Sequence, residues 1–138
     1  MILVVDDHQD TRDVLARMLR YEGYEAVAVS SPDEALAFLS TNKPSLIVLD
    51  YNMPAMDGLT LFSRIRNDAR LRDVPVVMFT ASGAELRESA LEAGVDAYVV
   101  KASLDWAELR REIRRLAGAS TRPGNPPILP QQRAQQTG

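Results

Sequence analysis

The sequence predicts an α/β fold, a doubly wound sheet of five parallel strands with helices on both faces. Several apolar runs, such as residues 46–49, are continuous rather than alternating, which is typical of strands buried on both faces. A segment with apolar side chains at helical spacing follows each predicted strand, five times in all. Repeated strand and helix units favour a parallel sheet joined by right-handed crossovers.

The composition indicates one domain and excludes several kinds of chemistry. The 138 residues are 46% hydrophobic and 25% charged, and the formal net charge of −3 is too small to predict binding to nucleic acid or to an anionic membrane. The chain has no cysteine, which excludes disulfides, thiol catalysis and thiolate metal sites. No apolar run approaches membrane-spanning length, and residues 1–7 lack the basic region of a secretory signal, so we expect a cytoplasmic protein.

The first two predicted strands are each followed by a helix with recognisable end signals. Residues 2–5 form a continuous apolar strand, and residues 11–21 form an amphipathic helix that Gly23 can end in a left-handed conformation. Residues 24–29 alternate partly, as expected at a sheet edge. Residues 31–40 begin with a serine, a proline and a glutamate in the positions of a capping box, which predicts a helix start.

The later elements follow in the same order. They are the strands 46–49, 74–80 and 97–100 and the helices 59–67, 82–94 and 104–118. Pro75 is tolerated because it lies at the beginning of its strand. Ser82 and Glu85 form a second capping box, which predicts the start of the fourth helix. Gly94 and Gly118 are the predicted ends of the fourth and fifth helices.

The composition changes after residue 118. Residues 119–138 contain four prolines, four glutamines and few large apolar side chains. Such a segment cannot bury enough surface to offset the entropy of ordering it, so we expect a folded domain over residues 1–118 and a disordered tail over residues 119–138. Residues 127–130 match the spacing of a polyproline ligand, but this pattern is common by chance.

Chemically active side chains end four of the five predicted strands. They are the pair Asp6 and Asp7, then Asp50, Thr80 and Lys101. The carboxyl ends of parallel strands share one edge, where ligands bind in open α/β sheets. Each residue alone has an ordinary explanation as a cap, a strand former or a solvated lysine. We interpret the combination as a site because propensity alone gives no reason to expect it.

Further motifs accompany the same strand ends. Met53-Pro54 and Asp57-Gly58 lie downstream of Asp50, Ala81 follows Thr80, and Tyr98 precedes Lys101 by three residues. With these motifs, residues 1–118 resemble the receiver domain of the two-component response regulators. The resemblance implies the flavodoxin-like strand order 2-1-3-4-5. It also implies a phosphoacceptor signalling protein rather than an enzyme, with only a slow, self-catalysed hydrolysis of its own phosphoaspartate.

The resemblance implies a role for each residue of the site. Asp50 would accept a phosphoryl group from the phosphohistidine of a sensor histidine kinase or a histidine phosphotransfer protein. Asp6, Asp7, Asp50 and the backbone carbonyl of Asn52 would bind Mg²⁺, and Lys101 would hold the phosphoryl oxygens. Three carboxylates and one ammonium sum to a formal charge of about −2, which one Mg²⁺ offsets.

Thr80 and Tyr98 are implied to form a conformational switch. In the family, the threonine moves toward the phosphoryl group and the aromatic residue turns inward into the space that it leaves. The surface of the fourth helix, fifth strand and fifth helix then changes, and a downstream protein reads it. Unless this sequence is part of a longer protein, we expect a single-domain regulator that signals through protein contacts, because no output domain follows residue 118 in it.

Three positions keep parts of this prediction open. Family members usually carry a cis-bonded proline where this chain has Ala102, and a non-proline cis bond costs about 2.5 to 4 kcal/mol, so a trans bond that moves Lys101 stays open. Asn52 and Ser82 occupy positions that vary in the family and influence how fast the phosphoryl group is lost. Ser82 is already explained as a helix cap.

Two further candidates have ordinary explanations. His8 is the only histidine and has only carboxylates beside it, so we interpret it as a solvated residue at a helix start rather than a metal ligand. The last predicted helix carries arginines interleaved with glutamates, which favours a solvent-facing, salt-bridged surface over direct nucleic-acid binding. These arginines are Arg110, Arg111, Arg114 and Arg115.

Two other functions fit parts of the pattern. A hydrolase of the haloacid dehalogenase type also uses an acid, a hydroxyl, a lysine and magnesium. Its nucleophile comes early, with a second acid two residues later and an acid pair late, whereas here the acid pair comes first and Asn52 takes the place of the second acid. A receiver-like scaffold that is never phosphorylated is the other alternative. The intact acids argue against it, and Ala102 keeps it open.

Overall fold

The computed structural model describes residues 1–101 and 106–121. Its strands form one parallel sheet in the order β2-β1-β3-β4-β5, which confirms the predicted flavodoxin-like fold. The strands are β1 (Ile2–Val5), β2 (Ala26–Val29), β3 (Leu46–Leu49), β4 (Val76–Thr80) and β5 (Ala97–Val100). The helices are α1 (Gln9–Tyr21), α2 (Pro32–Leu39), α3 (Gly58–Asn67), α4 (Arg87–Ala93) and α5 (Trp106–Thr121). Short 3₁₀ helices span Ala69–Leu71 and Ala84–Leu86.

The three central strands are buried on both faces, as their continuous apolar sequences predict. Every residue of β1, β3 and β4 is buried, whereas the edge strand β2 is only partly covered. Alternate residues of each strand point to opposite faces and enter two separate hydrophobic clusters. Leu3 and Val5 of β1 belong to one cluster, and Ile2 and Val4 belong to the other. Helices therefore cover both faces of the sheet.

The strand register aligns the ends of neighbouring strands. Val5 pairs with Leu49, so the residues that follow them, Asp6 and Asp50, leave β1 and β3 at the same level. Thr80 pairs with Val100, so Lys101 follows β5 directly beyond Thr80. The sheet thus delivers side chains from four strand ends to one edge.

Most predicted helix signals act as expected. The Ser31 hydroxyl accepts a hydrogen bond from the Glu34 amide, and the Glu34 carboxylate accepts bonds from the amide and hydroxyl of Ser30. Gly23 and Gly94 follow α1 and α4 with φ angles of 96° and 112°, the left-handed conformation that ends a helix.

The prediction that a capping box over residues 82–85 starts the fourth helix is wrong. The helix α4 begins at Arg87 after the 3₁₀ helix Ala84–Leu86, and no side chain of the described residues caps it. The Ser82 hydroxyl instead accepts a hydrogen bond from the Asn52 side-chain amide at 2.7 Å. This tertiary bond replaces the local cap.

The last helix also differs from its prediction, because α5 continues past Gly118 to Thr121. A glycine inside a helix costs only about 1 kcal/mol, which the surrounding turns can offset. Arg114 pairs with Glu22, which directly follows α1, and Arg115 pairs with Glu112, as the salt-bridged surface predicts. No helix in residues 1–101 or 106–121 has the length and apolar character needed to cross a membrane. The peptide bond before Ala102, whose cis or trans state the sequence left open, lies outside the described residues. The part of the predicted tail from residue 122 onward also lies outside them.

Candidate functional site

Two carboxylates and a lysine meet at the carboxyl edge of the sheet. Lys101 Nζ lies 2.7 Å from Asp6 Oδ2 and 3.4 Å from Asp50 Oδ2. Both carboxylates are only 2% exposed, because the central strands β1 and β3 end beneath the surrounding loops. The lysine therefore neutralises one side of a buried acidic site.

The Oδ1 atoms of the acids face the other side of the site. Asp6 Oδ1 accepts a hydrogen bond from the His8 amide at 2.9 Å, and Asp50 Oδ1 accepts one from the Asn52 amide at 3.3 Å. Asp7 Oδ1 is buried and accepts no hydrogen bond from any residue that the structure describes. A buried acceptor without a donor is costly, so this oxygen is suited to a cation.

These side chains are close enough to share one ion. Asp6, Asp7, His8 and Asp50 each offer one ligand atom, and the four atoms lie within 4.8 Å of one another. The carboxylate oxygens fit Mg²⁺, which binds through a few carboxylates while keeping several waters. The orphaned oxygen of Asp7 and this donor set together make the edge a candidate divalent-metal site.

The surroundings of Asp50 disfavour its negative charge. Burial raises the pKa of the Asp50 carboxyl, the Lys101 ammonium opposes this effect, and the nearby Asp6 carboxylate adds to it. Asp50 is therefore a buried acid whose ionised form needs more positive charge than Lys101 supplies.

A hydrogen-bonded group of polar side chains adjoins Asp50. The Thr80 hydroxyl is fully buried and accepts hydrogen bonds from the Asn52 side-chain amide at 3.3 Å and from the Ser82 amide at 3.2 Å. Asn52 also donates to the Ser82 hydroxyl. Sequence reasoning placed Asn52 and Ser82 beside the site but missed the bond between them, because the two residues are far apart in the chain.

Tyr98 lies inside the protein rather than on its surface. It is 2% exposed, and its hydroxyl donates hydrogen bonds to the carbonyls of Gly83 at 2.9 Å and Ser82 at 3.3 Å. Burial raises the pKa of the Tyr98 phenol. The loop after Thr80 is thus attached to β5 through this tyrosine, a conformation that the sequence left undecided.

The loop after Asp50 depends on Gly58 at the start of α3. The Gly58 amide donates to the Tyr51 carbonyl at 2.8 Å, and a Cβ atom on Gly58 would lie 2.4 Å from the Asp50 carbonyl oxygen. Asp57 caps the same helix by accepting a hydrogen bond from the Thr60 amide. The Asp57-Gly58 motif therefore has a structural role in holding the loop that carries Asn52.

The structure brings the predicted acids, the threonine and the lysine together at one edge of the sheet. Asp6, Asp50 and Lys101 are in direct contact, and Asp7 and Thr80 line the same edge. His8 directly precedes α1 and has an exposed side chain, as predicted. Its ring nitrogen Nδ1 nevertheless lies 3.2 Å from Asp7 Oδ1 and 3.4 Å from Asp6 Oδ1. The sequence feature that could have indicated this contact is the position of His8 directly after the acid pair.

Comparison with known proteins identifies a family. The family described as response regulator receiver domain matches residues 2–114. The phosphate regulon transcriptional regulatory protein PhoB of Pseudomonas aeruginosa is 37% identical over 101 residues, which are 72% of this chain and 44% of that protein. The chain spans about half the length of the curated transcriptional regulators that it matches.

Two solved structures are similar over nearly their whole length. The response regulator TrrA of Thermotoga maritima, in complex with Mg²⁺-BeF, is 33% identical with a TM-score of 0.74, and the match covers 83% of this chain and 96% of that one. The receiver domain of a sensor histidine kinase from Pseudomonas aeruginosa PAO1, with a magnesium ion coordinated in its active-site cleft, is 31% identical with a TM-score of 0.76. That match covers 85% of this chain and 96% of the other.

Proposed function

This chain belongs to the family of response regulator receiver domains, and from this premise we propose that Asp50 accepts a phosphoryl group from a phosphohistidine. The donor is a sensor histidine kinase or a histidine phosphotransfer protein. The observation that carries the proposal is the buried Asp50 carboxylate at the sheet edge, between Lys101 and an acid pair with an orphaned oxygen.

The transfer is an in-line displacement at phosphorus. An Asp50 oxygen attacks the phosphorus, the bond between phosphorus and the donor imidazole nitrogen breaks, and the imidazole leaves. The products are an acyl phosphate on Asp50 and a free histidine on the donor. Lys101, already 3.4 Å from Asp50, can neutralise the phosphoryl oxygens without a large movement.

The residues that would hold Mg²⁺ are Asp6, Asp7, Asp50 and the backbone carbonyl of Asn52. When bound, the ion supplies positive charge that offsets the carboxylates and the incoming phosphoryl group. The pairing of Lys101 with the Oδ2 atoms leaves the Oδ1 side of Asp6 and Asp50 for the metal. Phosphotransfer is therefore expected to require a divalent cation.

Thr80 and Tyr98 are proposed to transmit the phosphorylation signal. The Thr80 hydroxyl adjoins Asp50, and Tyr98 is buried with its hydroxyl bonded to the Gly83 carbonyl in the loop after Thr80. Phosphorylation of Asp50 is expected to bias the conformation of this pair of residues. The surface of α4, β5 and α5 is the proposed contact with a downstream protein, because Tyr98 connects β5 to the loop that precedes α4.

The test is phosphorylation with acetyl phosphate and Mg²⁺, followed by intact-mass and peptide mass spectrometry. We expect one phosphoryl group on Asp50 and none in Asp50→Asn. Asp57→Asn is the matched control, since it changes an aspartate of the same loop and asparagine caps a helix equally well. Full labelling of Asp50→Asn would show that the acceptor is elsewhere. No adduct in any variant would favour the scaffold, and rapid turnover of many phosphate esters would favour the hydrolase.

A further inference from the structure

The side chain of His8 extends the acidic site with a different kind of ligand atom. From the position of its ring we propose that His8 Nδ1 is a metal ligand, so that the site binds first-row transition ions such as Co²⁺ and Ni²⁺ more tightly than Mg²⁺. This inference rests on the divalent-metal site of the proposed function and names the class of ion that this chain favours.

The distances around His8 match those between neighbouring ligands of one ion. In an octahedral site with bonds of about 2.1 Å, adjacent ligand atoms are about 3 Å apart. His8 Nδ1 lies 3.2 Å from Asp7 Oδ1 and 3.4 Å from Asp6 Oδ1. The fourth ligand atom, from Asp50, lies within 4.8 Å of the other three. One ion can therefore contact all four side chains.

The hydrogen bonding of the site supplies a further observation about the same atoms. Asp7 Oδ1 is buried and accepts no hydrogen bond among the described residues, although His8 Nδ1 is its near neighbour. A carboxylate oxygen and a ring nitrogen at this distance can be joined by a shared cation, or by an ion pair when the imidazole is protonated. Lys101 cannot fill this role, because it contacts the Oδ2 atoms of Asp6 and Asp50.

An imidazole ligand changes which ions the site prefers. Mg²⁺ favours oxygen ligands, whereas imidazole nitrogen suits the later first-row ions, whose affinity rises from Mn²⁺ to Cu²⁺. Removal of His8 should therefore weaken the binding of Co²⁺ and leave the binding of Mg²⁺ nearly unchanged.

His8 can be replaced without damage to the fold. It precedes α1, but its side chain makes no capping hydrogen bond to the described residues and is 66% exposed. The bond from the His8 amide to Asp6 uses the backbone and survives any substitution except proline. Because the chain has one histidine, no other imidazole can account for a change in binding.

The experiment is calorimetric titration of the untagged full chain at about pH 7.5 with Mg²⁺ and Co²⁺ in separate runs. We expect His8→Ala and His8→Gln to weaken Co²⁺ binding about tenfold or more and to change Mg²⁺ binding less than twofold. The visible absorption of bound Co²⁺ should also shift in both variants. Equal Co²⁺ affinity in the wild type and both variants would overturn the proposal, as would an equal loss of both ions.

Two further measurements separate this inference from the proposed function. Asp7→Asn should weaken the binding of both ions, which shows that they share the site. Labelling of Asp50 by acetyl phosphate and Mg²⁺ is measured on the wild type, where the proposed function predicts it whatever the role of His8. If the wild type is labelled while the His8 substitutions have no effect on Co²⁺ binding, the ion preference is wrong and the phosphoacceptor role stands. If wild type binds neither ion and is not labelled, both proposals fail.

Discussion

Asp50 illustrates how a single buried acid couples stability to pH. Its pKa is raised above the ordinary value of 3.8, mainly by burial. The folded chain therefore holds this proton more tightly than the unfolded chain does. The resulting stabilisation is present below the ordinary pKa and is lost as the pH rises through the raised pKa. At neutral pH without metal, the ionised Asp50 carboxylate destabilises the fold.

Asp50→Asn is accordingly expected to stabilise the metal-free protein at pH 7 by about 1 kcal/mol, because it removes a poorly solvated charge while keeping the side-chain shape. The advantage should shrink as the pH falls through the raised pKa of Asp50 and should be gone below the ordinary value of 3.8. Thermal unfolding in EDTA at several pH values measures this difference. Asp13→Asn, an exposed change on α1, is the control and should stay within about 0.5 kcal/mol of wild type. A less stable Asp50→Asn at pH 7 would contradict this account of the site.

At the scale of elements, the loop between β4 and α4 is held by contacts from other parts of the chain. Tyr98 of β5 bonds to the Gly83 carbonyl, and Asn52 bonds to the Ser82 hydroxyl. These bonds explain why the local capping signal at residues 82–85 does not start the helix. A cap contributes about 1 kcal/mol, and two tertiary hydrogen bonds contribute a similar or larger amount.

Tyr98→Phe tests this attachment, because it keeps the buried ring and removes only the hydroxyl. We expect a loss of about 1 kcal/mol in the free energy of unfolding and faster amide hydrogen exchange in residues 84–90. Urea unfolding and exchange followed by mass spectrometry provide the two readouts. Tyr21→Phe is the matched control, since Tyr21 is 89% exposed. Unchanged exchange in Tyr98→Phe would mean that the hydroxyl does not hold the loop.

The loop between β3 and α3 depends on a close backbone approach at Gly58. Gly58→Ala would place Cβ 2.4 Å from the Asp50 carbonyl oxygen, and backbone atoms cannot move aside cheaply. We expect a loss of roughly 2 kcal/mol or more in stability, together with slower labelling of Asp50, measured by urea unfolding and acetyl phosphate kinetics. Gly83→Ala is the control, because its Cβ would meet only the flexible side chain of Glu85. Equal stability of the two variants would refute the argument.

At the scale of the whole molecule, metal binding and folding should be linked. The proposed metal ligands follow β1 and β3, so only the folded chain brings them together. At a free Mg²⁺ concentration about 100 times the dissociation constant, the ion should stabilise the fold by about 2.7 kcal/mol. Thermal unfolding in Mg²⁺ and in NaCl of matched ionic strength measures the effect. Asp7→Asn should reduce the gain strongly, and an undiminished gain in that variant would place the metal elsewhere.

The sequence alone determined the order of strands and helices, the double-sided burial of β1, β3 and β4, and the identity of the residues at the sheet edge. Local sequence patterns carry this information, because hydrophobic periodicity and the glycines that end helices depend only on residues close together in the chain. The comparison of residue motifs with a known family supplied the strand order, which the sheet confirms.

Only the tertiary structure decided the start of α4, the buried position of Tyr98 and the approach of His8 Nδ1 to the acid pair. Each depends on how loops from different strand ends pack against one another, and such contacts leave no periodic trace in the chain. The free energy of a few long-range hydrogen bonds is comparable with that of a local cap, so the local signal alone could not predict which would prevail.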